Sequence, residues 1–177
     1  TKSDLMVRDI DLSARMPDAR VGISRAFHDD SVRRLFEFKT PPNEKRINGL
    51  KKLKEAGIRT FALVCPTMPF ITDVNALIGS VAPHADTIWI YPLEMVSEAD
   101  RNWRNVQAIL DHHFPELTER YKQIAFSTAH SYWAELRQQL KELQSKRGLN
   151  LEIRVYGGQT MREYRFIQVD VFTDKPL

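Results

Sequence analysis

The chain has 177 residues, of which 42% are hydrophobic and 28% are charged, and its formal net charge at pH 7 is +3. This composition is typical of a soluble globular protein with a hydrophobic core, and the length suits one domain or slightly more. No apolar run reaches the roughly 18–20 residues of a membrane span and no signal-peptide pattern opens the chain, so we expect no membrane partner and a cytoplasmic location. The single cysteine, Cys65, excludes an internal disulfide.

Three short apolar runs predict buried strands, at residues 20–24, 60–64 and 87–91. The second run stops at Cys65-Pro66, and another proline follows at Pro69. Because proline has no N–H to donate to a strand ladder, we expect the second strand to end there. The third run is predicted to end at Pro92.

Amphipathic helical patterns separate these strands. Helices are predicted after Asp29, over residues 44–56 and over residues 73–82. Asn43 is the expected cap of the second helix and Gly57 its expected end, while Thr72 or Asp73 is the expected cap of the third. Strands that alternate with helices are typical of βαβ units and of a parallel sheet.

The second half of the chain is mainly helical. Apolar stripes predict helices over residues 103–110, 115–124 and 133–147. A terminal strand is expected over 151–156, then a linker at 157–160 and an alternating strand pattern within 161–177.

These elements predict an α/β fold with a parallel sheet. Only three or four parallel strands are visible before the helical tail, whereas a closed βα barrel needs about eight. The sequence therefore leaves three architectures open: a sheet fragment, an open half-barrel, or a small α/β domain.

Two groups of residues are interpreted as carrying no site. The basic cluster is read as a solvated helix face, with a nucleic-acid patch as the alternative; its members are Lys45, Arg46, Lys51, Lys52 and Lys54. His112 and His113 are adjacent, so they point in different directions on a helix and do not form a chelating pair. The other histidines are scattered, and no metal site is predicted.

In parallel α/β folds, ligands bind beyond the carboxyl ends of the strands. That rule selects four segments for inspection, at residues 2–3, 24–25, 65–68 and 91–94. The first of them qualifies only if a strand precedes it.

Three segments resemble the later half of the radical S-adenosylmethionine barrel, in the spore-photoproduct-lyase-like branch often called DNA-repair-photolyase-like. They are TKSDLMVRDIDL at the start, RINGLKKLKEAGIRTFALVCPTMPFITD around the second strand, and DTIWIYPLE around the third. The resemblance extends from Thr1 to about Tyr156. It implies a partial, open TIM-like (β/α)6 barrel with C-terminal helices, and S-adenosylmethionine as a cofactor of a lyase-like enzyme.

Enzymes of this group hold a [4Fe-4S] cluster on three cysteines of a CxxxCxxC loop, and the cluster reduces S-adenosylmethionine to a 5′-deoxyadenosyl radical. This chain has one cysteine, and such a cluster needs at least three thiolates from that loop. The resemblance therefore implies that the iron–sulfur site lies in a preceding half. We expect this chain alone to bind no cluster and to be inactive.

The resemblance assigns the remaining residues to the organic end of the cofactor. Lys2 is expected to pair with the methionyl carboxylate, and the Ser3 hydroxyl to bond the methionyl amine. Arg8 matches the arginine of the family's RD pair and is a second candidate for the carboxylate. The alternatives are an exposed residue for Lys2 and an ion pair with Asp9 or Asp11 for Arg8.

Three further candidates follow strand ends. Ser24 faces the barrel mouth in the family, with a turn-forming hydroxyl as the alternative. Cys65 is a candidate hydrogen-atom donor beside a radical, although a small buried residue is the favoured interpretation. Pro66, with Pro69, is expected to shape the turn on which an adenine would rest.

The final segment, MREYRFIQVDVFTDKPL, resembles the first strand of the phenazine-biosynthesis isomerase/epimerase family. Members of that family continue into a GNP motif, before which this sequence stops at Leu177. Their acid and base residues lie further on, so none is assigned here.

The predicted organisation has three parts. Residues 1–100 form the second half of a barrel, residues 101–156 a helical extension with a final strand, and residues 157–177 a linker with the truncated start of a second domain. The first residue is Thr1 and not a methionine, which favours a start inside a larger protein.

Three functions stay open. The chain is a fragment of a radical S-adenosylmethionine enzyme, or a non-catalytic α/β interaction module. The third option is a phenazine-biosynthesis-like isomerase, which rests on the resemblance of the final segment alone. A CxxxCxxC loop upstream would decide for the first. The residues do not indicate a substrate, and nucleic acid is suggested by the family resemblance alone.

Overall fold

The computed structural model of the chain describes residues 1–93, 95, 97–127 and 130–155. The linker and the strand pattern predicted within 157–177 lie outside these residues. The described strands form one parallel sheet in the spatial order β1-β2-β3-β4, where β1 is Arg20–Arg25, β2 Arg59–Thr67, β3 Thr87–Pro92 and β4 Leu151–Ile153. The prediction that the first three strands lie side by side in parallel is confirmed.

Alternation along β2 and β3 gives the sheet two different faces. Ala62 and Val64 in β2 and their partners in β3 are buried, as expected for the face under the crossover helices. The residues between them point the other way and are half-buried or exposed; they include Phe61, Leu63 and Trp89. We call this second side of the sheet the open face.

The described helices after β1 agree with the apolar periodicity, whereas the two short helices before β1 were not predicted. They are α1 Ile10–Ala14, α2 Asp30–Phe36, α3 Asn43–Glu55, α4 Val74–Val81, α5 Arg101–His113, α6 Thr118–Phe126 and α7 Tyr132–Arg147, with 3₁₀ helices at Asp4–Asp9, Ala82–His84 and Pro115–Leu117. None of the described helices has the length and apolar character needed to cross a membrane.

Capping residues set several of these helix boundaries. Asp73 caps α4, since its Oδ1 accepts a hydrogen bond from the Ala76 amide at 2.9 Å. Gly57 follows α3 with φ of 75°, a left-handed conformation that glycine adopts without a Cβ clash. The prediction that Asn43 caps α3 is wrong. Asn43 is the first helical residue, after Pro42, and its side chain is buried.

The second strand is longer than predicted, so the expectation that prolines end it is wrong. β2 continues through Cys65 and Pro66 to Thr67, with a shift in register between Val64 and Thr67. Pro66, which follows a cis peptide bond, lies within this irregularity, where a missing N–H removes no ladder bond. Pairing with β3 resumes at Thr67, opposite Pro92.

The chain divides into two compact units. The first comprises residues 1–93 and 140–154, including the sheet, and its core contains Ile23, Leu50, Leu53, Leu77 and Ile90. The described part of the second comprises residues 95, 97–127, 130–139 and 155. Its core contains Trp103, whose ring stacks on Tyr121 with centroids 6.2 Å apart. The domain boundaries near residues 100 and 156 stay predictions.

Candidate functional site

The carboxyl ends of β1, β2 and β3 meet at one edge of the sheet, because these strands are parallel. Thr1 lies against β1 at this edge: its amino group donates to the Gly22 carbonyl at 3.1 Å, and the Ser24 amide donates to the Thr1 carbonyl at 2.7 Å. Lys2 and Ser3 follow directly. The structure therefore brings two predicted site residues next to a third, Ser24.

Lys2 forms an ion pair with Glu37, which follows α2. The Lys2 side chain is 42% exposed, whereas the carboxylate of Glu37 is largely buried. Glu37 thus orients the ammonium of Lys2. A carboxylate from a ligand would have to share that ammonium with Glu37 or displace Glu37 from it. The sequence indicates either a partner of the methionyl carboxylate or an exposed residue at Lys2, and neither interpretation includes Glu37.

A buried arginine on α3 connects Glu37 to the sheet. Arg46 has no solvent-exposed surface, and its guanidinium donates to Glu37 Oε2 at 3.1 Å, to the Ser24 carbonyl at 2.9 Å and to Thr40 Oγ1 at 2.7 Å. A fourth bond goes to the Pro41 carbonyl at 3.0 Å. These partners satisfy a charge that burial would otherwise strongly disfavour.

The interpretation of Arg46 as part of a solvated basic face is therefore wrong. Its spacing from Asn43, Leu50 and Leu53 places it on the buried face of α3, where an apolar residue is expected. The periodic position of Arg46 could have indicated its burial. The interpretation followed its charge instead and so placed it on the solvent side.

Arg25, the last residue of β1, is a second buried cation at this edge. Its Nε donates to Asn43 Oδ1 at 3.1 Å and its Nη1 to Ser80 Oγ at 2.6 Å, so both of these partners are neutral. Burial lowers the pKa of Arg25 to about 10, and the nearby charge of Arg46 acts in the same direction. Arg25 therefore stays protonated at neutral pH, inside the layer between sheet and helices.

The predicted hydroxyl groups both have internal partners. Ser24 Oγ donates to the Cys65 carbonyl at 3.2 Å and joins the ends of β1 and β2. Ser3 Oγ accepts from the Leu5 amide at 3.2 Å and caps the first 3₁₀ helix. Cys65 is half-buried. It is therefore less buried than the packing residue that the sequence favoured, and it is not fully exposed to solvent.

Arg8 has the ion pair that the sequence offered as its alternative. Its Nε and Nη2 each lie 2.9 Å from a carboxylate oxygen of Asp9, and its side chain is exposed. This bidentate hydrogen bond raises the pKa of Arg8 and lowers the pKa of Asp9. The geometry favours Lys2 over Arg8 as the cation that serves this edge.

The turn after β2 is held by one threonine. Thr72 Oγ1 accepts from the Met68 amide at 2.9 Å and donates to the Ala26 carbonyl at 3.0 Å. It thereby links the residues that directly follow β1 and β2. This turn is close in sequence to Pro66. Sequence reasoning treated Thr72 as a helix cap only.

No cluster of three or more metal-ligating side chains occurs within the described ranges. The chain's single cysteine cannot supply the three thiolates of a [4Fe-4S] cluster. The residues present therefore do not fit that cluster, whereas a cation beside hydroxyl groups fits the carboxylate and amine of an amino acid.

The chain is similar to three longer proteins, each named only as uncharacterized. It is 33% identical to one from Methanocaldococcus jannaschii over 119 residues, which is 67% of this chain and 44% of that relative. It is 27% identical to proteins of Mycobacterium tuberculosis and Mycobacterium bovis over 132 residues, which is 70% of this chain and 38% of each relative. The chain thus spans less than half the length of these curated relatives. No family model and no solved structure matches it.

Proposed function

We propose that the chain is the later half of a radical S-adenosylmethionine enzyme of the spore-photoproduct-lyase-like group. The single observation that carries the proposal is the pairing of Thr1 with β1, which sets Lys2 and Ser3 beside Ser24 at the carboxyl edge of the sheet. The family resemblance expects the organic end of the cofactor at this edge.

The proposal includes an open barrel to which this sheet contributes one wall. The strands follow one another in space as in sequence, without the reversal of order that defines a doubly wound sheet. Right-handed crossovers between strands in this order carry their helices to one face. The open face would then line the inside of the barrel, as in βα barrels generally.

The lengths of the relatives are consistent with a missing half. This chain covers 44% of the Methanocaldococcus protein, so the remainder is long enough for further βα units and a cysteine loop. S-adenosylmethionine held at this edge would serve radical chemistry, with the iron–sulfur cluster held by that remainder and not by this chain.

The residues of this chain would bind and orient the cofactor. Lys2 would hold the carboxylate of its methionyl group, with Glu37 directing the ammonium, and Ser3 would accept from the amine. Ser24 and Pro66 would shape the surface beside the adenine. Arg8, paired with Asp9, would contribute less.

The test uses a longer form of the protein that includes the preceding region. After anaerobic reconstitution, we expect stoichiometric iron and sulfide and release of 5′-deoxyadenosine. Lys2→Ala is expected to weaken S-adenosylmethionine binding by about 10- to 150-fold, the value of a charge-assisted hydrogen bond, with iron content unchanged. Arg8→Ala is the matched comparison and should have a smaller effect. Full binding in both variants, or no cluster in the parent, would refute the proposal.

A further inference from the structure

A cavity of about 760 Å³ lies at the opposite end of the sheet from the carboxyl edge. The first residues of β1, β2 and β3 line it on the open face, together with the turn after α3; they include Arg20, Arg59, Phe61, Thr87 and Trp89. A volume of this size suits a small organic ligand. Nothing in the proposed radical chemistry uses this end of the sheet.

Two arginines of the cavity lining lie on neighbouring strands, directly opposite each other. Arg20 and Arg59 are directly paired in the register of β1 and β2, and both are exposed. Like charges opposite each other on neighbouring strands disfavour folding. Within the part of the chain that the structure describes, neither forms an ion pair with a carboxylate. Two arginines paired in this way are suited to an anion with several oxygens.

The acid that lines the cavity is already engaged. Asp86 forms an ion pair with Lys54 and accepts from the Thr60 amide at 2.7 Å. The hydrogen bonds from Lys54, then from Thr60, lower the pKa of Asp86. Its charge is therefore balanced locally, and the two arginines leave the cavity with an excess of positive charge.

The wall of the cavity next to these arginines is aromatic. The rings of Phe61 and Trp89 have centroids 6.2 Å apart, and Trp89 is 37% exposed. The Phe61 ring lies over Gly22, where a Cβ would come within 2.6 Å of the ring, so glycine leaves the space that the ring occupies. An exposed indole beside a phenyl ring is a surface on which a flat ligand can stack.

We propose that this cavity binds an aromatic phosphate, of which a nucleoside monophosphate is the simplest example. The phosphate would accept hydrogen bonds from Arg20 and Arg59, and the base would stack on Trp89 beside Phe61. Charge complementarity selects the anion, and the aromatic wall distinguishes it from inorganic phosphate. The cavity is lined by this chain alone, at the end of the sheet opposite the residues assigned to S-adenosylmethionine.

The test is isothermal titration calorimetry of the chain with adenosine 5′-monophosphate. Arg20→Gln and Arg59→Gln are each expected to weaken binding by about 10- to 150-fold, and Trp89→Leu by about 5- to 150-fold. Arg34→Gln, which removes an exposed arginine of α2 outside the cavity, is the matched control and should bind as the parent does. Circular dichroism checks that each variant is folded.

Adenosine and ribose 5-phosphate, each lacking one half of the ligand, are expected to bind at least about 10-fold more weakly. A short oligodeoxyadenylate distinguishes the source of the ligand: tighter binding than the mononucleotide, with the same loss in the arginine variants, indicates a nucleic-acid strand, and equal or weaker binding indicates a free nucleotide. Absence of saturable binding at millimolar nucleotide would overturn the inference. So would an equal loss in Arg34→Gln, because it would indicate nonspecific attraction.

Discussion

Arg46 has the greatest expected effect on stability among the side chains of the carboxyl edge. It joins the end of β1 to Glu37, and through Glu37 to the partly exposed Lys2, and its own side chain is fully buried. Replacing one member of such a buried pair leaves the other charge without its partner. The geometry of Lys2 is therefore coupled to a residue 44 positions away.

We expect Arg46→Met to lower the free energy of unfolding by about 3–5 kcal/mol, because Glu37 would keep its burial and lose its buried cation. Urea denaturation measures this change. Arg34→Met, at an exposed position of the neighbouring helix, should stay within about 0.5 kcal/mol of the parent. Equal stabilities of the two variants would contradict the role given to Arg46.

A pH dependence is expected from Asp86. Its pKa is lower in the folded chain than the usual value near 4, through hydrogen bonds from Lys54 and then Thr60. A lowered folded pKa stabilises the protein above the unfolded pKa, and this contribution disappears as the pH falls through the folded pKa.

Asp86→Asn should therefore destabilise the protein at pH 7 and have a progressively smaller effect as the pH falls below the usual aspartate pKa of about 4. Urea denaturation of variant and parent at several pH values measures this difference. Because the ion pair is partly exposed, the difference at pH 7 should be modest, about 1 kcal/mol or less for the ion pair itself. A difference between variant and parent that does not change with pH would argue against this assignment.

Among the elements, the helices could be predicted more fully than the strand ends. Periodicity located α3 and α4 because each buries one apolar side, and Asp73 was a recognisable cap. The extension of β2 through Pro66 could not be read from the sequence, because it depends on pairing between Thr67 and Pro92 on a neighbouring strand. Arg46 was missed for a similar reason: its burial is justified only by partners that folding brings together.

The cap of α4 provides a prediction for one element. Asp73→Ala should reduce stability by about 0.5–2 kcal/mol, because the Ala76 amide would lose its acceptor. Asp73→Ser keeps an oxygen at the cap and should recover most of the loss. Thermal unfolding followed by circular dichroism would measure both, and identical melting of the alanine and serine variants would count against the cap.

At the scale of the whole molecule, the carboxyl edge holds the side chains predicted for a cofactor but lacks the ligands of a cluster. The strand-end rule and the family resemblance made Lys2, Ser3 and Ser24 candidates, and pairing of Thr1 with β1 brought them together. Their internal partners, Glu37 above all, lie far along the chain and followed from no local pattern.

The chain by itself should bind no [4Fe-4S] cluster and cleave no S-adenosylmethionine, because it contains one cysteine. Anaerobic reconstitution followed by iron and sulfide analysis tests this expectation. Replacing Cys65 with alanine provides the background for adventitious iron. Stoichiometric cluster in the parent, with the visible absorption of such clusters, would show that the interpretation is mistaken.

The pairing at the outer side of β1 also affects how the protein behaves among its own copies. An outermost strand with free amide and carbonyl groups is a template for β-pairing between chains, the first step of many aggregates. Here Thr1 bonds Gly22 and Ser24 from that side, and Arg46 covers the Ser24 carbonyl. Within the described residues, Thr1 and Arg46 thus occupy polar backbone groups of Gly22 and Ser24 that another chain would need for pairing, and the two residues that position Lys2 therefore also shield this part of the strand.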